Sequence, residues 1–164
     1  MLDIRPATAA DVAAIARVHA ASWRQTYRGK LPAVSLAQRD EAFRRQQWAR
    51  LYRQDHVLVA LAADQVVGFV AGGAQRSHSA LASRYPGEVY GLYVAPTCQH
   101  QGVGWRLLTA KRRALGTAVT LDCLATNQAA LAFYHRQGGR DLQTGVYRAD
   151  QQTFATTVLG FPKL

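Results

Sequence analysis

Cysteine is scarce in this chain: two stand in 164 residues, Cys98 and Cys123, and neither lies in a Cys-x-x-Cys or beside a histidine at metal-ligand spacing. That spacing excludes a zinc ribbon, a disulfide scaffold and a dithiol redox motif; both thiols are expected free and reduced, and no metal is expected. Long apolar runs are also missing. None approaches membrane-spanning length, and Met1-Leu2-Asp3-Ile4-Arg5-Pro6 lacks the basic-then-apolar layout of a signal peptide. A cytoplasmic location with no membrane partner is the expectation. There is no Gly-Lys-Ser/Thr run, which excludes a P-loop, and no repeat, low-complexity tract or dividing linker, so residues 1–164 read as one domain. Acidic residues are few, ten against twenty Lys plus Arg, giving a formal charge of +10. Such a balance favours anionic partners, but the cations are scattered through Arg24, Arg28, Lys30, Arg39, Arg44, Arg45 and on to Lys111, Arg112 and Arg113. No nucleic-acid motif accompanies them, and no nucleic acid is expected as partner.

What is present is an apolar fraction of 49% with 18% charged residues, enough to bury a core. Leu2 to Arg5 reads as a strand, and Thr8 with Asp11 has the spacing of a capping box before a helix over about Ala9–Tyr27. In that helix His19 and Trp23 are expected to pack in the core, the imidazole bonded to backbone. A second helix is expected over about Leu36–Arg53, burying Phe43, Leu51 and their neighbours. Two strands, His56–Ala62 and Val66–Ala74, form a hairpin; a polar loop containing Ser77 and His78 leads to a central strand, Gly87–Val94. A helix follows, ended by Gly116, with Val103, Leu107, Leu108, Ala114 and Leu115 inward and Arg106, Lys111, Arg112 and Arg113 outward or toward phosphates. Then come a strand over Ala118–Leu124, a helix capped by Asn127 and ended by Gly138-Gly139, and a final antiparallel pair, Asp141–Tyr147 with Thr153–Phe161. The fold class is mixed α/β: about seven strands in a central sheet, flanked by about four helices.

The chain is organised around Leu92-Tyr93-Val94 and the loop Gln99-His100-Gln101-Gly102-Val103-Gly104, where a strand passes through a short turn into a helix. Gly102 and Gly104 leave the first helical N–H groups uncovered at the positive end of the helix dipole, an anion site. A dinucleotide fingerprint needs a third glycine where Leu107 stands. What remains, Gln-x-x-Gly-x-Gly after an apolar strand, resembles the acetyl-CoA pyrophosphate loop of the GCN5-related N-acetyltransferases (GNAT). Further on, Asn127-Gln128-Ala129-Ala130-Leu131-Ala132-Phe133-Tyr134 matches that family's Asn-x-x-Ala-x-x-Phe-Tyr pattern. Two motifs in the family's order are far more specific than either alone.

The resemblance implies acetyl transfer from acetyl-CoA directly to a primary amine of a small molecule or peptide. It places the pantetheine arm along Leu92, Tyr93 and Val94, with the Val94 N–H as oxyanion donor. It places the diphosphate on the amides of Gln99, His100, Gln101, Gly102, Val103, Gly104 and Trp105, with Arg106 beside it. Asn127 and Ala130 would meet the arm, Phe133 would pack under it, and Tyr134 would be the general acid. Glu88 is the candidate base, acting through a water, and Trp23, Tyr27 and Glu88 are candidate acceptor contacts. Gly138-Gly139-Arg140 stands where the family usually has Gly-Phe, which removes a packing aromatic. A silent acyl-CoA sensor of the same fold, or a basic nucleic-acid module, are the alternative readings. An exposed C-terminal strand edge is compatible with a homodimer.

Overall fold

A computed structural model describes residues 1–164. In chain order the elements are β1 (Leu2–Pro6), α1 (Val12–Tyr27), α2 (Ala33–Gln38), α3 (Glu41–Gln54), β2 (Leu58–Ala62), β3 (Gln65–Ala74), β4 (Gly87–Val94), α4 (Val103–Leu115), β5 (Val119–Leu124), α5 (Gln128–Arg136), β6 (Arg140–Ala149) and β7 (Gln152–Phe161). Hydrogen bonding orders the strands β1-β2-β3-β4-β5-β7-β6 in one mixed sheet. β4 and β5 pair in parallel, while β1 with β2, β2 with β3, β5 with β7 and β6 with β7 are antiparallel. This is the mixed α/β class expected, with five helices where the sequence suggested four. No helix is long and apolar enough to cross a membrane.

The extra helix arises because Asp40 interrupts the expected second one. Its side chain accepts a hydrogen bond from the Phe43 N–H at 2.9 Å, so it caps α3, and α2 ends before it. The buried face of α3 also differs from expectation. Arg44, Trp48 and Tyr52, spaced four apart, point inward, whereas Phe43 is 42% exposed and Leu51 only half-buried. One indole, one phenol and an arginine stem thus take that stripe, the indole N–H reaching His19 and the guanidinium Gln47.

The chain divides into two compact units, Met1–Gly72 with Gly91–Lys111, and Gly73–Tyr90 with Arg112–Leu164. In the first unit, the acid side of the expected capping box is present: Asp11 accepts from the Thr8 N–H (2.7 Å) and hydroxyl (3.0 Å). Arg5 adds a bidentate pair to the same carboxylate at 2.7 and 3.0 Å, which holds the Asp11 carboxyl down at about 2. Ile15, Val59, Phe69, Leu107 and Leu108 form the core. His19 is buried there, but its Nδ1 accepts from the Trp48 indole at 2.9 Å instead of meeting backbone, and its ring lies 4.3 Å from that of Tyr93. Burial, with Arg44 nearby, pushes this imidazole well below its ordinary range.

Lys111, expected outside, is 1% exposed and donates its ammonium to the His56 carbonyl. That carbonyl belongs to a left-handed residue (φ 45°) in the tight turn from α3 into β2, which is why the strand starts at Leu58 and not at His56. Burial lowers Lys111 to about 8, partly offset by Asp55.

In the second unit, Arg112 is likewise buried. It donates to the Pro162 carbonyl at 2.8 Å and lies over the Phe161 ring at 4.9 Å. Ala114, expected inward, is exposed. The two cations take the inner positions because each reaches an otherwise unmet carbonyl with its head while its stem packs. The β6–β7 hairpin closes through Asp150 and Gln151, both left-handed (φ 48° and 63°), as are Ala63 and Asp64 between β2 and β3 (φ 47° and 61°). Both cysteines are free, Cys123 buried in β5 and Cys98 half-buried.

Candidate active site

In the first unit the sequence builds a rigid ledge at the end of β4. The Ala95 N–H donates to the Val67 carbonyl at 2.8 Å, and the Val94 carbonyl accepts from the Ser22 hydroxyl at 3.1 Å and from Gln99 Nε2 at 3.3 Å. Gly68 lets this ledge form: a Cβ there would lie 2.9 Å from the Tyr93 carbonyl oxygen and 3.0 Å from Leu107. Gln99 also donates to Gln25 of α1 at 3.1 Å, so its side chain braces the loop from within and leaves its backbone facing out.

Beyond it, His100 and Gly102 are both left-handed (φ 60° and 80°). The first α4 bond of the helical ladder is Arg106 N–H to the Gly102 carbonyl, at 3.1 Å. The amides of Val103, Gly104 and Trp105 therefore precede the ladder and have no intrahelical acceptor. Its chain neighbours apart, no atom stands within 4 Å of where a Gly102 Cβ would be, so nothing crowds the turn at that residue. Trp105 and Arg106 are exposed, and Arg106 reaches the Leu2 carbonyl at 3.4 Å. Trp23 and Tyr27 are both buried on α1 with rings 4.7 Å apart, and Arg39 and Arg44 lie over Trp23, each at 5.4 Å.

In the second unit, Asn127 caps α5 as expected, accepting from the Ala130 N–H at 3.2 Å. α5 carries Phe133, half-buried, and Tyr134, 8% exposed; their rings are 5.2 Å apart and that of Tyr134 meets Phe161 edge-on at 6.3 Å. Phe161 also explains the second glycine after the helix. A Cβ on Gly139 would lie 2.8 Å from that ring, so an aromatic from β7 fills space beside this departure from the usual pattern.

Glu88 is buried on β4. Its Oε2 accepts from the N–H groups of Arg76 and Ser77, both at 2.9 Å, and its Oε1 from the Ser77 hydroxyl at 2.5 Å. β4 pairs with β5 through Gly87↔Val119, Glu88↔Thr120 and Val89↔Leu121, and continues to Val94.

A family model described as the acetyltransferase (GNAT) family matches residues 16–139, which span both the glycine loop and the Asn127–Tyr134 motif. The chain belongs to that family. A curated relative from Bacillus subtilis (strain 168), the uncharacterized N-acetyltransferase YuaI, is 31% identical over 108 residues. The match covers 66% of this chain and 61% of that protein, so the chain spans less than two thirds of that relative's length. Among solved structures, the PaiA N-acetyltransferase of Thermoplasma acidophilum in complex with coenzyme A superposes with a TM-score of 0.71 at 19% identity, covering 96% of this chain and 98% of that one. A GCN5-related N-acetyltransferase from Rhodopseudomonas palustris gives 0.75 at 20% identity, over 98% and 94%. YncA from Salmonella typhimurium with its cofactor acetyl-CoA gives 0.68 at 22%, over 99% and 94%. These likenesses establish the GNAT fold.

Sequence reasoning passed over one polar cluster of this GNAT domain. His78 Nε2 lies 2.7 Å from Asp122 Oδ1, and the Thr156 hydroxyl donates to Asp122 Oδ2 at 3.3 Å. The available signal was Asp122 itself, the one acid in the otherwise apolar-alternating run Val119–Leu124.

Proposed function

We propose that this GNAT chain is an acetyl-CoA-dependent N-acetyltransferase that moves the acetyl group directly to a primary amine of a small molecule or peptide. The observation that carries the proposal is the α4 entrance, where left-handed, uncrowded Gly102 opens a helix whose first amides have no intrahelical acceptor. Asn127 seated as the α5 cap, with Tyr134 on that helix, supports it in the second unit.

When bound, acetyl-CoA supplies an activated thioester. The first-turn amides of α4, with Gln99, His100 and Gln101 before them, would hold the diphosphate, and exposed Arg106 is free to turn from its long contact with Leu2 toward it. The backbone of Leu92, Tyr93 and Val94 would align the arm as an added strand does, with the Val94 N–H directed at the developing negative charge. Bracing of the Val94 carbonyl by Ser22 and Gln99 supports a fixed orientation for that peptide. Asn127, Ala130 and Phe133 would flank the arm, and the Tyr134 hydroxyl would donate its proton to the departing sulfur. Glu88 would face the acceptor side. Trp23, whose indole N–H is buried without a hydrogen-bond partner, and neighbouring Tyr27 would line the approach of the acceptor.

Thermal melting with acetyl-CoA tests the binding step: at a hundredfold excess over Kd, mass action adds about 2.7 kcal/mol, a rise of several degrees. Thiol release over a panel of amino acids, aryl-alkyl amines, an aminoglycoside and a dipeptide tests transfer. A melting rise with no thiol release on any amine points to the sensor reading; no rise at all removes the proposal. Tyr134→Phe is expected to lower turnover on the order of tenfold or more with acetyl-CoA affinity retained.

A further inference from the structure

The polar face of the second unit points to a proton acceptor that the sequence motifs do not contain. Partners across β5 and β7 share a face: Val119 with Phe161 and Leu121 with Leu159 on one side, Thr120 with Gly160 and Asp122 with Val158 on the other. Tyr134 meets Phe161, so α5 stands on the first side. Glu88, in register with Thr120, and the His78–Asp122 pair belong to the second.

We infer that His78, oriented by Asp122, is the base that takes the proton of the acceptor ammonium, and that Glu88 positions it. This deepens the acetyltransferase reading and rests on it. A carboxylate only accepts hydrogen bonds, so the 2.7 Å contact places the imidazole proton on Nε2 and leaves the Nδ1 lone pair available. Nδ1 has no protein partner. The side chains of His78 and Asp122 are 14% and 30% exposed, mostly withdrawn from water yet open to a ligand. Gly145 keeps the pair uncrowded: a Cβ there would lie 3.2 Å from Asp122 Oδ2 and 2.6 Å from the Thr156 hydroxyl.

The surroundings fix the ring on both sides. The His78 N–H donates to Gln75 Oε1 at 3.1 Å, and Gln75 Nε2 is itself anchored on the Thr120 hydroxyl at 2.7 Å. Immediately before His78, Glu88 binds the backbone of Arg76 and Ser77 and the Ser77 hydroxyl. With three donors on its two oxygens, Glu88 is built as a clamp on this segment, the positioning role given to it here. The charged groups bearing on His78 are Asp122 from β5, Glu88 from β4 by way of Ser77, and Arg76 on its own segment, stacked on Tyr90 at 3.5 Å.

The step balances with residues already placed. The acceptor nitrogen gives one proton to His78 Nδ1 and forms its bond to the thioester carbon; the carbon–sulfur bond breaks, and the thiolate takes the Tyr134 proton. Base and acid stand on opposite faces of the β5–β7 sheet, and the β4–β5 pairing ends at Val89↔Leu121, beside Asp122, so both would act through that opening on the tetrahedral adduct of the acyl carbon.

The experiment uses the full chain and the panel amine that wild type turns over fastest. His78→Gln should lower turnover at pH 7 on the order of 10²-fold, keep the acetyl-CoA melting rise, and replace the acidic limb of kcat/KM by one at higher pH, where the acceptor ammonium loses its proton unaided, so that raising the pH restores rate. His78→Ala should be partly rescued by added imidazole. Asp122→Asn should lose turnover in the same direction while keeping the limb. A His78→Gln enzyme with wild-type turnover and acidic limb, or a loss that neither high pH nor imidazole repairs, overturns the assignment. Should wild type turn over no amine, the acetyltransferase reading falls and this assignment with it; failure of the His78 variants alone leaves that reading standing.

Discussion

Replacing Lys111 with methionine should stabilise this protein at neutral pH, by an amount the structure bounds. The ammonium is 1% exposed, and burial lowers its titration to about 8, from 10.5 for the free side chain. In an unfolded chain Lys111 keeps its proton up to the higher value, so between pH 8 and 10.5 the unfolded state binds more protons and stability rises with pH. Below pH 8 the penalty is present in full. At about 1.36 kcal/mol per pH unit, the gap corresponds to about 3 kcal/mol. Methionine matches the stem in length and removes that penalty, but it leaves the His56 carbonyl without its donor, at a cost of about 1–3 kcal/mol. The net expectation is a gain of about 0–2 kcal/mol at pH 7, a rise in Tm of up to about 8 °C for a chain of this size. The decisive reading is the slope: wild type should gain on Lys111→Met as pH rises from 8 to 10.5, ending as the more stable of the two. Calorimetric melts across that range measure it. A constant difference between the two proteins would refute the reasoning, because the lysine would then titrate alike folded and unfolded.

Asp11 runs the opposite way: its carboxyl is held at about 2 by Arg5 and Thr8, so its contribution is present above about pH 4 and is lost as pH falls toward 2. Discounted for the 37% exposure of Arg5, Asp11→Asn should cost about 1 kcal/mol at pH 7 and little near pH 2, read from urea midpoints at the two pH values. Trp48→Phe should cost about 1–3 kcal/mol by leaving His19 Nδ1 buried without a donor, and adding His19→Leu should recover part of it in a double-mutant melt. Gly102→Ala forces a side chain to φ 80°, so the acetyl-CoA-induced melting rise should shrink while the melt of the free protein drops by only a few degrees.

Strands with alternating or continuous apolar runs were legible from sequence because burial alone decides them: Gly87–Val94 and the C-terminal pair fall where periodicity puts them. The two motifs were legible because each needs a residue no neighbour can replace, left-handed Gly102 in one and the Asn127 cap in the other. Lys111 and Arg112 were misjudged for one common reason. Residue type says they are charged, whereas their burial depends on a carbonyl or ring far along the chain, such as His56, Pro162 or Phe161. Glu88 could be named from sequence but not its three donors, and His78 with Asp122 required pairing positions 44 apart.

Both two-residue hairpin turns, Ala63-Asp64 and Asp150-Gln151, hold left-handed backbones without a glycine between them. Such turns favour glycine, asparagine and aspartate at these φ values, so Asp64 and Asp150 suit their positions while Ala63 and Gln151 sit there at a cost in backbone strain. In the C-terminal hairpin that cost is offset by a long ladder, in register from Ala149 against Gln152 outward to Arg140 against Gly160. The strands, more than the turn sequence, hold this chain reversal in place.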